Sequence, residues 1–332
     1  FSPREMEYIA SLRWSLEDVC LGPGTKVLTN RGLIPIEGIN SGDLVLTHKG
    51  HYKAVEAVSE RPYKGFMETI KAKGLTTILA TPNHPFATSL VKRSRSNKIE
   101  IVNQDWLRAD RLQTISQRNL RKPYHCLQLP LLALDSHPGG QDDSELGRLL
   151  GLYLAEGCLG HHQILFYFGK HEEALIRETC ELVEKIWGCK AQIRETRTAM
   201  RIIVGSKKLV DDMEVFGRRA PNKMIPPDYL VGKTKEFLQG LVSGLLDGDG
   251  WELKAGKGNN LLVNRIRTTS SHLAFQIRLI LGTLGLVASI TKTLAIPATI
   301  EGRKVKTHDM YTISWHPKRQ RVSPYLNGTY NF

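Results

Sequence analysis

The chain has 332 residues, 41% of them hydrophobic, and a formal net charge of +13. That length suffices for two or three cores, and no apolar run approaches the roughly 20 residues of a bilayer-spanning helix, so no membrane partner is expected. The positive excess favours a polyanion, nucleic acid first, with plain solubility as the alternative.

Residues 1–19, FSPREMEYIASLRWSLEDV, predict a capped amphipathic helix. Ser2 suits the N-cap, Pro3 the first turn, and Met6, Ile9, Leu12 and Leu16 recur at helical spacing. Residues 20–135 change character. Short alternating runs such as TKVLT, DLVLT and ETIKA lie between Gly, Pro and Asn turns, which predicts an all-β unit with basic loops at 91–98 and 116–123. SHPGGQDDSE (136–145) reads as a polar linker.

Residues 146–316 alternate helices with strands, and they repeat. Each half opens on an apolar helix ending acid–Gly, passes through a strand into a long amphipathic helix closed by glycine, and continues in strands. Glu156 precedes Gly188 by 32 positions and Asp249 precedes Gly285 by 36. Two such halves predict a pseudo-two-fold axis, with chance likeness of two αβ units as the alternative. Five cysteines, Cys20, Cys126, Cys158, Cys180 and Cys189, form no C-x-x-C pair. Neither a zinc site nor a disulfide framework is expected, and a reducing cytoplasm is the expected setting; no signal peptide is visible.

The two apolar helices carry the chemistry. In LLGLYLAEG (149–157) Gly151 and Ala155 lie four apart, and in VSGLLDGDG (242–250) Gly244 and Gly248 do the same. Small residues at that spacing let two helix backbones approach closely. Pairing them would bring Glu156 and Asp249 out together, where like charge and the negative helix ends favour a bound divalent cation, Mg²⁺ by default. Two ordinary helix ends with an acid before glycine are the alternative.

These two stretches resemble the paired LAGLIDADG (dodecapeptide, DOD-type) motifs of homing endonucleases. The resemblance implies an α+β domain with a pseudo-two-fold αββαββα repeat, Mg²⁺-dependent double-strand cleavage at a long asymmetric DNA site, and a monomer that reads DNA with two sheets. The last acid of each motif maps onto Glu156 and Asp249, the expected metal and catalytic residues; Asp247 is the lesser candidate. NKMIPPDYL (222–230) resembles the segment that supplies a lysine, giving Lys223, with Lys292 as its second-half counterpart; surface lysines are the alternative. Arg, Gln and Asn read base edges and Lys mostly holds phosphates. Gln192, Arg194, Arg201, Arg265, Arg267 and Lys292 are therefore the DNA-binding candidates, with the outward sheet face not fixed.

A second motif set stands earlier. CLGPGTKVLT begins at Cys20, SGDLVLT spans 41–47, TPNH spans 81–84 and DWLRADRL spans 105–112. A cysteine within reach of a histidine is a nucleophilic arrangement. If strands 25–29 and 76–80 are neighbours, His84 stands beside the Val19–Cys20 bond. The Cys20 thiol would attack the Val19 carbonyl and His84 would protonate the departing amide nitrogen, with Thr81 and the TPNH turn, Asn83 included, holding the peptide. Taken singly, a buried cysteine and a turn histidine are the alternatives.

Together these blocks resemble the all-β, horseshoe-shaped Hint domain of inteins, interrupted by the endonuclease. The resemblance implies cofactor-free protein splicing and a final His–Asn end. The chain ends RVSPYLNGTYNF, so 317–332 are expected to return to the Hint domain and stop short, with the rest supplied in cis or in trans. Residues 1–19 would then be host sequence, and they resemble the helical C-terminal region of tailed-phage portal proteins. The competing expectation is a DNA-binding protein with a degenerate LAGLIDADG domain.

Overall fold

A computed structural model describes residues 19–72, 77–93, 99–112, 122–255, 261–300, 303–305, 307–317 and 329–331. The helix expected over 1–19 and most of the two basic loops lie outside the described residues.

The first part of the chain is built from strands. β1 (Lys26–Thr29), β2 (Gly32–Pro35), β3 (Leu44–Leu46) and β4 (Tyr52–Ala54) form one sheet in the order β2-β1-β3-β4. β5 (Glu68–Ile70) pairs with β6 (Ile78–Ala80), and β7 (Pro85–Arg93) lies between β8 (Ile99–Arg108) and β9 (Tyr124–Pro130). Hence β1 does not neighbour β6, contrary to the expectation for 25–29 and 76–80. The contact is made earlier, by a single antiparallel bridge between Leu21 and Ala80. The reason is local: Asn30–Arg31 folds β1 straight back onto β2, with Gly32 at φ 99° in the left-handed region.

The second part has helices α1 (Gln141–Glu156), α2 (Glu173–Trp187), α3 (Lys207–Met213), α4 (Lys235–Asp249) and α5 (Ser271–Thr283). Its strands are β10 (Gly157–Leu159), β11 (Gln163–Phe168), β12 (Ala191–Glu195), β13 (Met200–Gly205), β14 (Gly250–Ala255), β15 (Leu261–Thr268), β16 (Ala288–Thr293), β17 (Ala298–Ile300), β18 (Arg303–Val305) and β19 (Met310–Trp315). The two large sheets run β10-β11-β13-β12 and β14-β15-β19-β16, the same order in each half. The halves differ in two ways. A β17–β18 hairpin precedes β19, and α3 has no counterpart after β19 among the described residues. Farther on, β20 (Thr329–Asn331) adds to β9 through Tyr330 opposite Leu129.

Helix α1 begins inside the segment read as a linker. Gly140 is its N-cap, and Asp142 and Asp143 occupy the first turn, where carboxylates suit the positive end of the helix dipole. The same polarity made 141–145 read as loop.

The core joins the helices to the inner faces of both sheets. Ile164, Phe166, Ile202, Val204, Ile266 and Ile313 are all buried within it. Alternation along the strands therefore fixes the outer faces. No helix among the described residues is long and apolar enough to cross a membrane.

Candidate functional site

Helices α1 and α4 meet backbone to backbone. A Cβ on Gly147 would lie 2.1 Å from Phe237 O, on Gly151 2.3 Å from Leu241 O, on Gly240 2.0 Å from Ser144 O and on Gly244 2.3 Å from Arg148 O. Only hydrogen fits at these four places. Gly147 and Gly240 extend the Gly151 and Gly244 seam by one turn at i−4, a spacing visible in the sequence but not used. At the far end a Cβ on Gly248 would meet Ala155 Cβ at 2.5 Å and Glu156 Cγ at 3.2 Å. The seam thus delivers Glu156 and Asp249 side by side.

The electrostatics follow from that placement. Burial, and then the Asp249 carboxylate, push Glu156 up to about 7; burial pushes Asp249 up to about 6, against the opposing field of Lys223. Two acids whose charged forms are disfavoured by burial, at neighbouring helix ends, form a site that a cation would satisfy.

Lys223 does not sit there as a free ammonium. It is buried, and its Nζ donates to the carbonyls of Tyr153, Leu154 (3.1 Å) and Gly157 (2.5 Å). All three donors are engaged, so Lys223 caps the C-terminus of α1 rather than standing free beside the acids. Burial lowers Lys223 to about 8 even though Asp249 and Glu156 favour its charge. Its segment is clamped by residues the sequence gave no reason to notice. Ser270 Oγ donates to Lys223 O at 2.6 Å, and the Gln276 amide closes two hydrogen bonds on Ile225, at 2.7 and 2.8 Å.

Lys292 lies elsewhere. It pairs with Asp309 at 2.7 Å beside the Tyr311 ring. It shares a sheet face with Ile290, which is opposite the buried Ile313. In ASITKT it therefore belongs to the Ala288–Ile290 set, on the opposite face from Ser289 and Thr291. Asp247 is likewise occupied. It accepts from Arg148 Nη1 at 2.7 Å, and Arg148 also reaches Glu178 and Ser243, tying α1, α2 and α4 together.

The other DNA-binding candidates share the outer faces. Arg194 stands opposite Arg201, and Gln192 opposite Ile203, while the buried Ile202 and Val204 point inward. In the second sheet Arg265 and Arg267 alternate with the buried Ile266. The Nε atoms of Arg201 and Arg265 are buried without a hydrogen-bond partner among the described residues.

A second cluster forms at Cys20. Cys20 N donates to Thr81 Oγ1 at 3.0 Å, Thr81 Oγ1 donates to Cys20 O at 3.3 Å, and Thr81 N donates to Cys20 O at 3.0 Å. Thr81 is fully buried. The TPNH turn is closed by His84 N on Thr81 O at 2.9 Å and clamped from DWLRADRL, where Ala109 N reaches His84 O and Asp110 N reaches Pro82 O, each at 2.9 Å. Asn83 Oδ1 and His84 Nδ1 are buried without partners among the described residues. Burial pushes His84 down to about 4, so its imidazole is neutral at neutral pH. A neutral imidazole can take up a proton and hand it on.

Residues 19–86 match the family profile of the Hint domain. The chain is also similar to the ATP-dependent DNA helicase Hel308 of Thermococcus kodakarensis, 26% identical over 329 residues, covering 86% of this chain and 29% of that protein. It is similar to the iron-sulfur cluster assembly SufBD family protein Rv1461 of Mycobacterium tuberculosis, 29% identical over 324 residues, covering 89% of this chain and 36% of that protein. The chain thus spans about a third of the length of these curated relatives. Among solved structures, I-DmoI in complex with DNA and Mn aligns with a TM-score of 0.37 and 15% identity, over 55% of this chain and 94% of that one. The N-terminal LAGLIDADG domain of DUF199/WhiA aligns with a TM-score of 0.35 and 13% identity, over 56% and 80%.

Proposed function

We propose that the chain combines two activities: an acyl shift at the Val19–Cys20 bond within a Hint domain, as in protein splicing, and site-specific cleavage of double-stranded DNA by a LAGLIDADG-type unit. Splicing is carried by one observation, the three hydrogen bonds by which Thr81 holds the two peptide groups of Cys20.

The acyl shift balances with this chain's own groups. Neutral His84 takes the proton of the Cys20 thiol, and the sulfur attacks the Val19 carbonyl carbon. The carbon–nitrogen bond breaks as the same proton passes to the Cys20 nitrogen, leaving a thioester and a free amine. Thr81 Oγ1 accepts from the scissile N–H and fixes the orientation of that peptide. Incubation with a strong thiol should release residues 1–19, and Cys20→Ser should suppress release. A wild-type chain that stays intact refutes this half of the reading.

DNA cleavage rests on the seam that brings Glu156 and Asp249 together. The donor set fits a hard cation: two carboxylates at neighbouring helix ends, each raised by burial. Glu156 and Asp249 would hold Mg²⁺, which when bound supplies charge stabilisation and an activated water at a phosphate. Lys223 neutralises the carbonyls of the α1 terminus beside that site, Arg194, Arg201 and Arg265 attract the backbone, and Arg267 shares the outer face of the second sheet with Arg265.

A degenerate, DNA-binding-only domain is the second reading. It draws on the finding that no group of three or more potential metal ligands occurs among the described residues. Cleavage of a duplex library in Mg²⁺ decides: cutting lost in Glu156→Gln and Asp249→Asn while binding survives supports a nuclease. Wild-type binding without cutting supports the alternative.

A further inference from the structure

The outer faces of the two sheets are not chemically equivalent. In the first sheet, the row two residues beyond Glu156 reads Cys158, Leu165, Ile203 and Gln192, in register across four strands. The matching row two residues beyond Asp249 reads Trp251, Arg265, Ser314 and Ser289. The next row, level with the helix ends, holds Tyr167, Arg201 and Arg194 in one sheet, and Arg267, Thr312 and Thr291 in the other. Directly paired residues on antiparallel strands share a face, so these rows are the surfaces each sheet presents.

One feature exists on the second sheet alone. The Arg267 guanidinium lies over the Trp251 ring, 4.6 Å from its centroid. Arg267 is exposed, and its backbone is held in the ladder opposite Thr312. Its counterparts by register are Tyr167 and Cys158, which form no such stack.

Stacking on an indole fixes the guanidinium plane while leaving its N–H fork open. A phosphate can also take the fork, but it carries no sequence information. A fixed planar fork suits a planar, two-acceptor partner, and in duplex DNA that is the guanine O6/N7 edge in the major groove. Thr312 and Thr291 beside it offer hydroxyls with no fixed base preference.

We propose that the Arg267–Trp251 stack reads a guanine in the half of the target facing the second sheet, with Arg267 as the specificity residue and Trp251 as its positioning residue. The first sheet lacks this discrimination: Arg194 and Arg201, two like charges directly opposed, hold backbone phosphates. This inference rests on the DNA-binding reading above.

The test is selection from duplexes with a randomised centre, in Ca²⁺, by wild type, Arg267→Lys, Arg267→Ala and Trp251→Ala. The wild type should enrich guanine at one position on one side of the centre. Both Arg267 variants should lose that preference by about ten-fold to a hundred-fold, with Arg267→Lys retaining affinity for the unselected pool. Trp251→Ala, checked for an unchanged melting temperature, should weaken the preference and keep pool binding. Arg267→Ala selecting the same guanine would place the reading on another residue and overturn the proposal, as would equal guanine enrichment on both sides. A wild type that retains no duplex at all would overturn the DNA-binding reading itself.

Discussion

Replacing Lys223 by Met tests whether the acid-bearing helix end depends on one buried cation. Met keeps the length of the side chain and removes the three donors. Tyr153 O keeps its bond from Gly157 N, but the Leu154 and Gly157 carbonyls lose a charged donor. Leaving two buried acceptors short costs about 1–3 kcal/mol each. Part of this is returned because an ammonium that burial already disfavours is no longer desolvated. The net expectation is a loss of about 3–5 kcal/mol, the usual scale for removing one partner from a buried charged arrangement. In a unit of this size that lowers the melting temperature by roughly 10 °C. Glu156 and Asp249 should also titrate higher, because Lys223 lowers both. Thermal melts at pH 5 and pH 8 read both effects. If Lys223→Met melts within about 2 °C of wild type, the capping argument is wrong, and the ammonium is free to serve elsewhere.

Other consequences follow from the same geometry. Because Glu156 and Asp249 are raised from 4.5 and 3.8 to about 7 and about 6, the folded chain retains protons that the unfolded chain releases. Without metal, their contribution is full below about pH 4 and is lost as pH rises to about 7; Glu156→Gln should flatten the melting curve across that window, and Mg²⁺ should raise the wild-type melting temperature at pH 8 more than at pH 5. Gly244→Ala should destabilise by about 2 kcal/mol despite better helix propensity, because its Cβ meets Arg148 O at 2.3 Å; Gly140→Ala, with nothing within 4 Å, is the control, and equal melting temperatures for the two would deny the seam. Thr81→Ala should slow thiol-induced release at Cys20 by about ten-fold or more, on the scale of losing one hydrogen bond to a reacting group, as read by the rate of the smaller product on a gel; an unchanged rate would leave Thr81 a structural residue.

What the sequence disclosed and withheld follows from the range of each interaction. The seam was legible because glycine at i, i+4 is a local pattern with a steric meaning, and LLGLYLAEG and VSGLLDGDG carry it twice. The parity of Lys292 was legible as well, since the alternation of ASITKT places it with Ala288 and Ile290; which face turns outward required the buried Ile313 opposite Ile290. The fate of Lys223 was not legible. Nothing in NKMIPPDYL shows that its ammonium turns inward to the carbonyls of a helix some seventy residues away, since that depends on Ser270 and Gln276 holding the segment from a third element. The start of α1 was missed because Asp142 and Asp143 suit a loop and a helix N-terminus equally. The Trp251–Arg267 stack was hidden because it joins neighbouring strands across a diagonal, which requires their register.

Helix α5 shows why the two parts of the chain belong to one frame. It is buried along most of its length, from Leu273 to Gly282, with only short interruptions. A helix apolar on nearly every side needs cover on every side. Its own sheet supplies one side, through Ala288 and Ile313 in the shared core. The strand-rich part supplies contacts at both ends: His272 Nε2 donates to Leu33 O at 3.0 Å, and Leu132 N donates to Thr283 Oγ1 at 2.9 Å. The first of these is tight enough that a Cβ on Gly32 would fall 2.2 Å from the His272 ring. The same helix caps itself with Ser270 and carries Gln276, the two residues that hold the Lys223 segment. The hairpin at Gly32 is thus linked, through one rigid helix and a handful of buried hydrogen bonds, to the cation whose field opposes the effect of burial on Glu156 and Asp249. An acid site referenced to a helix that the strand-rich part grips cannot be energetically indifferent to that part, even though the two clusters of reactive groups share no residue.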